Sequence, residues 1–507
     1  MAVTVYTCGL NGINANIVNI EADISNGLPS YDVVGLADTS VKESKERVRS
    51  GLKNSGFTFP ARKITINLAP ASIKKEGTHY DLPMAVALLK IMGAVDSCAS
   101  DFAVFGELSL NGDVRGVSGI LPMTDRVREA GFKKVIVPDE NKNEASLVPN
   151  IEVYPVKNLN DAVNIINKET QILPYEFEES LNDTSYEKLD FADVAGQESA
   201  KRAIEVACSG GHSCIMSGPP GGGKTMLSKR IPSILPPLSY EEAMEVTKIY
   251  SVSGLITPQN PLIKNRPFRT VHHTASSVSL VGGGSKAMPG EVSLAHNGVL
   301  FLDEIPEFKR AALEVLRQPL EDKKVTVTRV SRTAVYPCNF MIVAAMNPCP
   351  CGYFGSDVKP CTCSNEEIRR YQRKISGPLF DRIDIQIEIP ALKYNQLSDS
   401  NKAESSDIIR KRVTQAREIQ EKRYKGSGIR TNAELTSPMI KEYCKLSNEA
   451  NTVLRRAFDN LGLSARGYTK ILKLARTIAD MEKSKNIEVY HIAEAISYRD
   501  MTTKYIR

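Results

Sequence analysis

The chain has 507 residues, more than one hydrophobic core organises, and the length implies roughly three domains. Hydrophobic residues at 42% and charged residues at 24% exclude a fibrous or wholly disordered chain, and a net charge of +6 does not by itself mark a nucleic-acid partner. No stretch approaches the roughly 18 apolar residues of a membrane span and the start lacks a signal-peptide pattern, so the expectation is a cytoplasmic protein with no membrane partner.

Residues 1–167 mix strand-like runs (63–68, 134–137) with a helical stretch (81–92) and predict an α/β domain. Residues 168–190 turn acidic and polar without apolar periodicity, as a linker does. A second α/β unit is expected over 191–392, with short apolar strands at 213–217, 299–302 and 341–345, each running into a loop of polar chemistry. Residues 393–507 carry 3.6-residue periodicity near 408–424, 437–461, 464–483 and 489–498, a helical lid.

Within the second unit, Gly218-Pro219-Pro220-Gly221-Gly222-Gly223-Lys224-Thr225 follows an apolar strand and leads into a helix containing Met226, Leu227 and Ile231. Glycines let backbone N–H groups turn inward on a triphosphate. The helix N-terminus adds a positive dipole, Lys224 meets phosphate charge, and Thr225 is placed to hold Mg²⁺. The bland alternative is a chance glycine-rich turn. A second strand ends in Asp303 and Glu304, the first suited to Mg²⁺ and the second to polarising the attacking water. A third ends at Asn347, which either senses the γ-phosphate or forms a turn before Pro348. Cys349, Cys351, Cys361 and Cys363 form two Cys-x-Cys pairs nine residues apart, either a structural Zn²⁺ site or a reduced, metal-free loop.

These motifs, together with Val194-Ala-Gly-Gln-Glu198, His272-His-Thr274, Gly282-Gly-Gly284, the run from Pro289 to Glu304, Gly377-Pro-Leu-Phe-Asp-Arg-Ile-Asp384 and Leu463-Ser-Ala-Arg466, resemble one group over nearly the full length. The group is the AAA+ ATPases, specifically the magnesium-chelatase-like proteins of the ComM/YifB family. The fold this implies is α/β, an AAA+ P-loop core with a helical lid, preceded by an α/β Lon-protease-like domain. The resemblance also implies a homo-hexamer in which Arg382 is the finger reaching a neighbour's ATP and Arg466 a sensor-2 arginine acting from the lid. It implies an insertion at 282–290 and a hairpin after it. Residues 324–336 do alternate apolar and polar on both sides of a short turn, with Lys323, Lys324, Arg329 and Arg332 as candidate pore-facing DNA contacts.

In the N-terminal domain, Gly106-Glu-Leu-Ser-Leu-Asn-Gly112 is similar to Lon, but His79 stands at the serine position of that protease and Leu121 at its lysine position. Without a nucleophile and base the domain is expected to be proteolytically inactive. The leading expectation is an ATP-driven DNA translocase or helicase acting on single-stranded or branched DNA, and the family resemblance implies that it promotes branch migration in recombination and natural transformation. The alternative is a magnesium-chelatase-type ATPase that remodels a protein partner, and the Lon-like domain weighs against it.

Overall fold

In a computed structural model of the chain, residues 2–168, 173–177, 189–329, 332–357, 359–391 and 403–499 are described. Most of the 168–190 stretch read as a linker lies outside them. The N-terminal part is a mixed seven-stranded sheet that begins with the antiparallel pair Val3–Asn11 and Asn14–Ser25, turning at Gly12. The strands at 63–68 and 134–137 appear as Lys63–Ala69 and Lys134–Pro138. Asp81–Ile91 is a helix whose first nine residues are all buried, as its nearly continuous apolar sequence requires of a helix with no solvent face.

The second unit is built on a five-stranded sheet of neighbours Phe268–Val271, Val299–Leu302, Met341–Met346, Cys214–Ser217 and Ile385–Glu388. All four pairings are parallel, so every strand presents its carboxyl end on one edge. Numbered along the chain within this sheet, the order is 5-1-4-3-2. The three central strands are buried on both faces and accordingly read as largely apolar runs, VLFL and MIVAAM among them, while the edge strand Phe268–Val271 is mostly half-buried or exposed.

Five helices follow: Ser406–Tyr424, Ser437–Tyr443, Asn448–Leu461, Ala465–Met481 and Val489–Ser497. The periodic segment 437–461 forms two helices. The chain leaves helix at Cys444, Leu446 pairs as a parallel bridge with Ile487, and Ser447 caps a new start by accepting the N–H of Ala450. A tertiary strand contact thus overrides local periodicity. These helices share an apolar core with the sheet, Arg499 donates to the Ile383 carbonyl, and a buried polar cluster adds a further tie. Lys470 Nζ lies 2.5 Å from Asp384 Oδ1, and His212 bridges Asp384 Oδ2 (3.4 Å) and Thr477 Oγ1 (2.8 Å). Burial opposes charge on Asp384, yet Lys470 and His212 hold its carboxyl far below the usual range.

The N-terminal unit docks on the helix Tyr240–Val252. Ser251 Oγ donates to Glu144 Oε1 (2.5 Å), the Gly119 N–H donates to the Ser251 carbonyl (3.1 Å), and Lys248 pairs with Asp125 (2.5 Å). The turn at Gly12 meets Ala334 and Tyr336. Among the described residues, no helix is long and apolar enough to cross a membrane.

Replacing Asp384 with Asn leaves Lys470 buried without its counter-charge. The expected cost is about 3 kcal/mol and a melting point lower by roughly 6 °C or more, read by scanning calorimetry. An unchanged melting transition contradicts the role given to this cluster.

Candidate nucleotide site

The strand Cys214–Ser217 ends at Gly218, where a Cβ would stand 2.3 Å from the Ile389 carbonyl oxygen, so only glycine allows the chain through. The loop then passes Pro219, Pro220, Gly221 and Gly222 to Gly223, whose left-handed backbone (φ 86°) releases the helix Lys224–Ile234. Lys224 Nζ donates to the carbonyls of Gly218 (2.6 Å) and Pro219 (2.9 Å) and to Asn347 Oδ1 (3.1 Å). Burial pulls its pKa down, while the charges of Asp303 and Glu304 oppose that shift. Thr225 Oγ1 donates to Asp303 Oδ2 at 3.0 Å, and Asp303 Oδ1 accepts the Glu304 N–H at 3.0 Å. The predicted Lys224, Thr225, Asp303 and Asn347 therefore converge at the ends of three adjacent strands.

Glu304 follows with a left-handed backbone (φ 50°, ψ 48°), a conformation costly for a non-glycine residue and concentrated at functional sites. Its side chain is 55% exposed, and His273 Nδ1 lies 3.9 Å from Oε2. These residues fit a nucleotide with a divalent cation. The glycine loop and helix start leave a concave cradle, a lysine spends its donors on carbonyls and one amide, and a hydroxyl touches a carboxylate as paired hard-ion ligands do. Sequence reading did not single out Gln197 as a site residue. Its left-handed backbone (φ 60°) carries an amide that donates to the carbonyls of Gly222 (3.2 Å) and Pro390 (2.9 Å).

Arg382 and Arg466 meet elsewhere, on Glu321. Arg382 Nη2 donates to Glu321 Oε1, Arg466 Nη2 reaches the same oxygen at 3.1 Å, and Arg382 Nη1 holds the Pro378 carbonyl at 2.7 Å. The Nε of Arg382 is buried with no hydrogen-bond partner among the described residues. Glu321, exposed on the helix Arg317–Asp322, carried no sequence signal of its own.

The four cysteine sulfurs lie within 4.8 Å of one another, a set that could hold a metal ion. Cys349 Sγ is 3.3 Å from Cys351 Sγ and 3.7 Å from Cys361 Sγ, while Cys363 Sγ accepts the Cys351 N–H. The Tyr353 and Thr362 backbones hold the Cys351 thiol down to about 5. Against the Cys351 N–H, burial and the neighbouring sulfurs push Cys363 up to about 12. The cluster abuts the cradle: a Cβ on Gly352 would sit 2.6 Å from Pro220 Cδ.

The basic hairpin pairs Lys324–Arg329 antiparallel with Arg332–Pro337. Lys323 begins it from a left-handed backbone (φ 55°), Lys324 and Arg329 are exposed, and the Arg332 side chain lies outside the described residues. The predicted insertion is a two-stranded turn, Gly282–Gly283 against Met288–Pro289. It packs on the hairpin, since Tyr336 donates to the Ala287 carbonyl (2.8 Å) and a Cβ on Gly283 would stand 2.6 Å from Arg329 Nη2.

In the N-terminal unit His79 is 4% exposed, bonded to the Cys8 carbonyl (2.8 Å), and burial lowers its pKa to about 4. Beside it, buried Asp81 takes two bonds from Arg47 (2.6 and 3.0 Å). Leu121 is fully buried, and its N–H donates to Glu144 in the contact with Tyr240–Val252. Both positions are structural.

The family description "Magnesium chelatase, subunit ChlI" matches residues 190–397, and its C-terminal counterpart matches 403–499. "Subunit ChlI of Mg-chelatase" matches 20–141, so likeness to that subunit is not confined to the later part of the chain and the N-terminal domain does not weigh against it. The chain is 42% identical to Competence protein ComM of Haemophilus influenzae, covering 98% of this chain and 97% of that one. It is also 42% identical to YifB of Salmonella typhimurium, over 98% and 96%. Lon protease 2 of Bacillus subtilis is 28% identical over 166 residues, 32% of this chain and 29% of that protease. With a P-loop sheet of this order and relatives matched end to end, the chain belongs to the ComM/YifB family of magnesium-chelatase-like AAA+ proteins.

Proposed function

We propose that the protein is an ATP hydrolase that works as a cytoplasmic homo-hexameric ring, a DNA translocase or helicase moving branched or single-stranded DNA. Branch migration in homologous recombination and natural transformation is the process it would serve, a reading supported by the competence named in its Haemophilus relative. The observation that carries the proposal is a shared strand. Met341–Met346 delivers Asn347 to Lys224, and the basic hairpin feeds that same strand, so a pull on the hairpin is felt at the cradle. The working division is a Lon-like domain (1–167), a linker (168–190), the ATPase core (191–392) with its cysteine insertion (349–363), and the lid (393–507).

ATP with Mg²⁺ supplies the phosphoanhydride whose hydrolysis drives movement. Lys224 and the N–H groups of 218–225 hold the phosphates, and Thr225 with Asp303 holds the ion. Glu304 orients and polarises water, and Asn347 reports the phosphate state to its strand. Arg382, held on Glu321 together with Arg466, is released to a neighbouring subunit's ATP, which is why the site needs a ring, and Arg466 acts from the lid as a sensor-2 arginine. Zn²⁺ on Cys349, Cys351, Cys361 and Cys363 would brace the loop behind Pro220 and Asn347. A second reading, a chelatase-type motor remodelling a protein partner, is favoured by the three chelatase-subunit matches.

Lys224→Ala should lose nucleotide binding, whereas Glu304→Gln should bind ATP and turn it over at least about a hundredfold more slowly. Calorimetric binding and phosphate release check this, and wild-type turnover in both variants overturns the assignment. Metal analysis of untagged protein should find about one Zn²⁺ per chain, lost on replacing Cys349 and Cys361 with Ser; none in the wild type removes the metal.

Arg329→Ala with Arg332→Ala should weaken DNA binding irrespective of sequence and flatten its salt dependence. Basal hydrolysis should persist while DNA-stimulated hydrolysis and four-way-junction movement fall together. A double variant that moves junctions as well as wild type removes the hairpin as the grip. A wild type that neither binds nor moves DNA across a range of salt puts the chelatase-type reading ahead.

A further inference from the structure

A groove of about 870 Å³ opens beside the nucleotide site and has no part in the chemistry above. One wall is the turn Ile305–Glu307, directly after Glu304, with Arg310 beyond it; the other is the helix Asn365–Gln372 and the two residues after it. Arg369, Arg370, Arg373 and Lys374 line that second wall, all exposed. Among the described residues the only ion pair these five cations make is Lys374 with Glu307, at 3.1 Å. Two acids, Glu307 and Glu366, share the lining, so five cations face two carboxylates; like charges at i and i+4, as at Arg369 and Arg373, repel, and the excess positive charge favours an anion in the groove. The 369/373 pair rises about 6 Å along the helix axis, a spacing that suits neighbouring phosphates of one strand.

The helix is also wired to hydrolysis. Gln372 Nε2 donates to the Pro348 carbonyl at 3.0 Å, and the buried Tyr371 hydroxyl meets the backbone of Asn347. Burial, with the charges of Glu307 and Glu304, resists ionisation of that tyrosine. Lys374 clamps Glu307, three residues past Glu304, and the far end of the helix starts at Ser364, next to Cys363 of the sulfur cluster.

We propose that this groove is a second nucleic-acid contact, gripping successive phosphates of a DNA strand, and that a strand seated there bears on Asn347 and Glu304 together. The inference rests on the DNA-motor reading and adds a site to it. The lining offers charge and no exposed aromatic platform, Phe308 being 4% exposed, so the contact is to backbone and independent of sequence.

The test uses the full chain with Arg369→Ala and Arg373→Ala together, and the same pair changed to Lys. Anisotropy of a labelled single-stranded oligonucleotide is followed across salt, with hydrolysis measured with and without that DNA and native mass spectrometry of the assembly. The alanine pair should bind about tenfold more weakly, lose roughly 1.4 from the slope of log K against log salt, keep basal hydrolysis and lose its DNA stimulation. The lysine pair should restore most of the binding. Alanine variants with wild-type affinity and slope overturn the proposal. So does loss of basal hydrolysis with DNA affinity unchanged, which makes the groove a contact to a neighbour's nucleotide. So does a ring that falls apart, which makes it a seat for an acidic face of a second copy. If the wild type itself binds no DNA, the motor reading fails and this site with it, a result distinct from variants that match a DNA-binding wild type.

Discussion

Everything in the ATPase unit hangs on the contacts Lys224 to Asn347 and Thr225 to Asp303, which tie the carboxyl ends of three parallel strands into one cradle. Parallel pairing requires a crossover between strands, so each strand end is free to carry a loop of different chemistry while hydrogen bonding fixes their relative heights. Apolar cores on both faces hold that register, with Ile215, Leu300 and Ile342 on one side and Met216, Phe301 and Val343 on the other. The polar groups at the edge therefore meet within hydrogen-bond distance although 123 residues separate Lys224 from Asn347.

Around the cradle the chain places further elements in contact with it. The hairpin and the cysteine loop flank one strand, Met341–Met346, at its two ends. The C-terminal helices are joined to the sheet in part through Asp384, two residues from Arg382. The N-terminal unit is held through Glu144, Ser251, Asp125 and Lys248, and its His79 is buried against the Cys8 carbonyl.

Much of this was legible in the chain because it is local. A glycine loop after an apolar strand, two acids after VLFL and an amide after MIVAAM each declare themselves within a dozen residues. Two pairs of closely spaced cysteines announced a cluster that the fold does assemble. What stayed hidden depends on distance along the chain. The meeting of Arg382 and Arg466 on Glu321 joins positions 61 and 145 residues from that glutamate, and no periodicity encodes it. The break before Ser447 comes from a bridge to Ile487, and the arginine groove exists only because 305–310 and 365–374 fold against each other. Glu304's left-handed backbone likewise follows from the turn it enters.

The central claim is that each ATP site is completed by the next subunit, with Glu304 on one side and Arg382 from the other. Hydrolysis by an equimolar, co-assembled mixture of Arg382→Ala and Glu304→Gln chains tests it most directly. Each variant alone should be inactive, and random assortment in a ring should return about a quarter of the sites with both groups intact, giving activity neither parent has. A mixture no more active than its two components, with rings of both confirmed to form, contradicts a site shared between subunits.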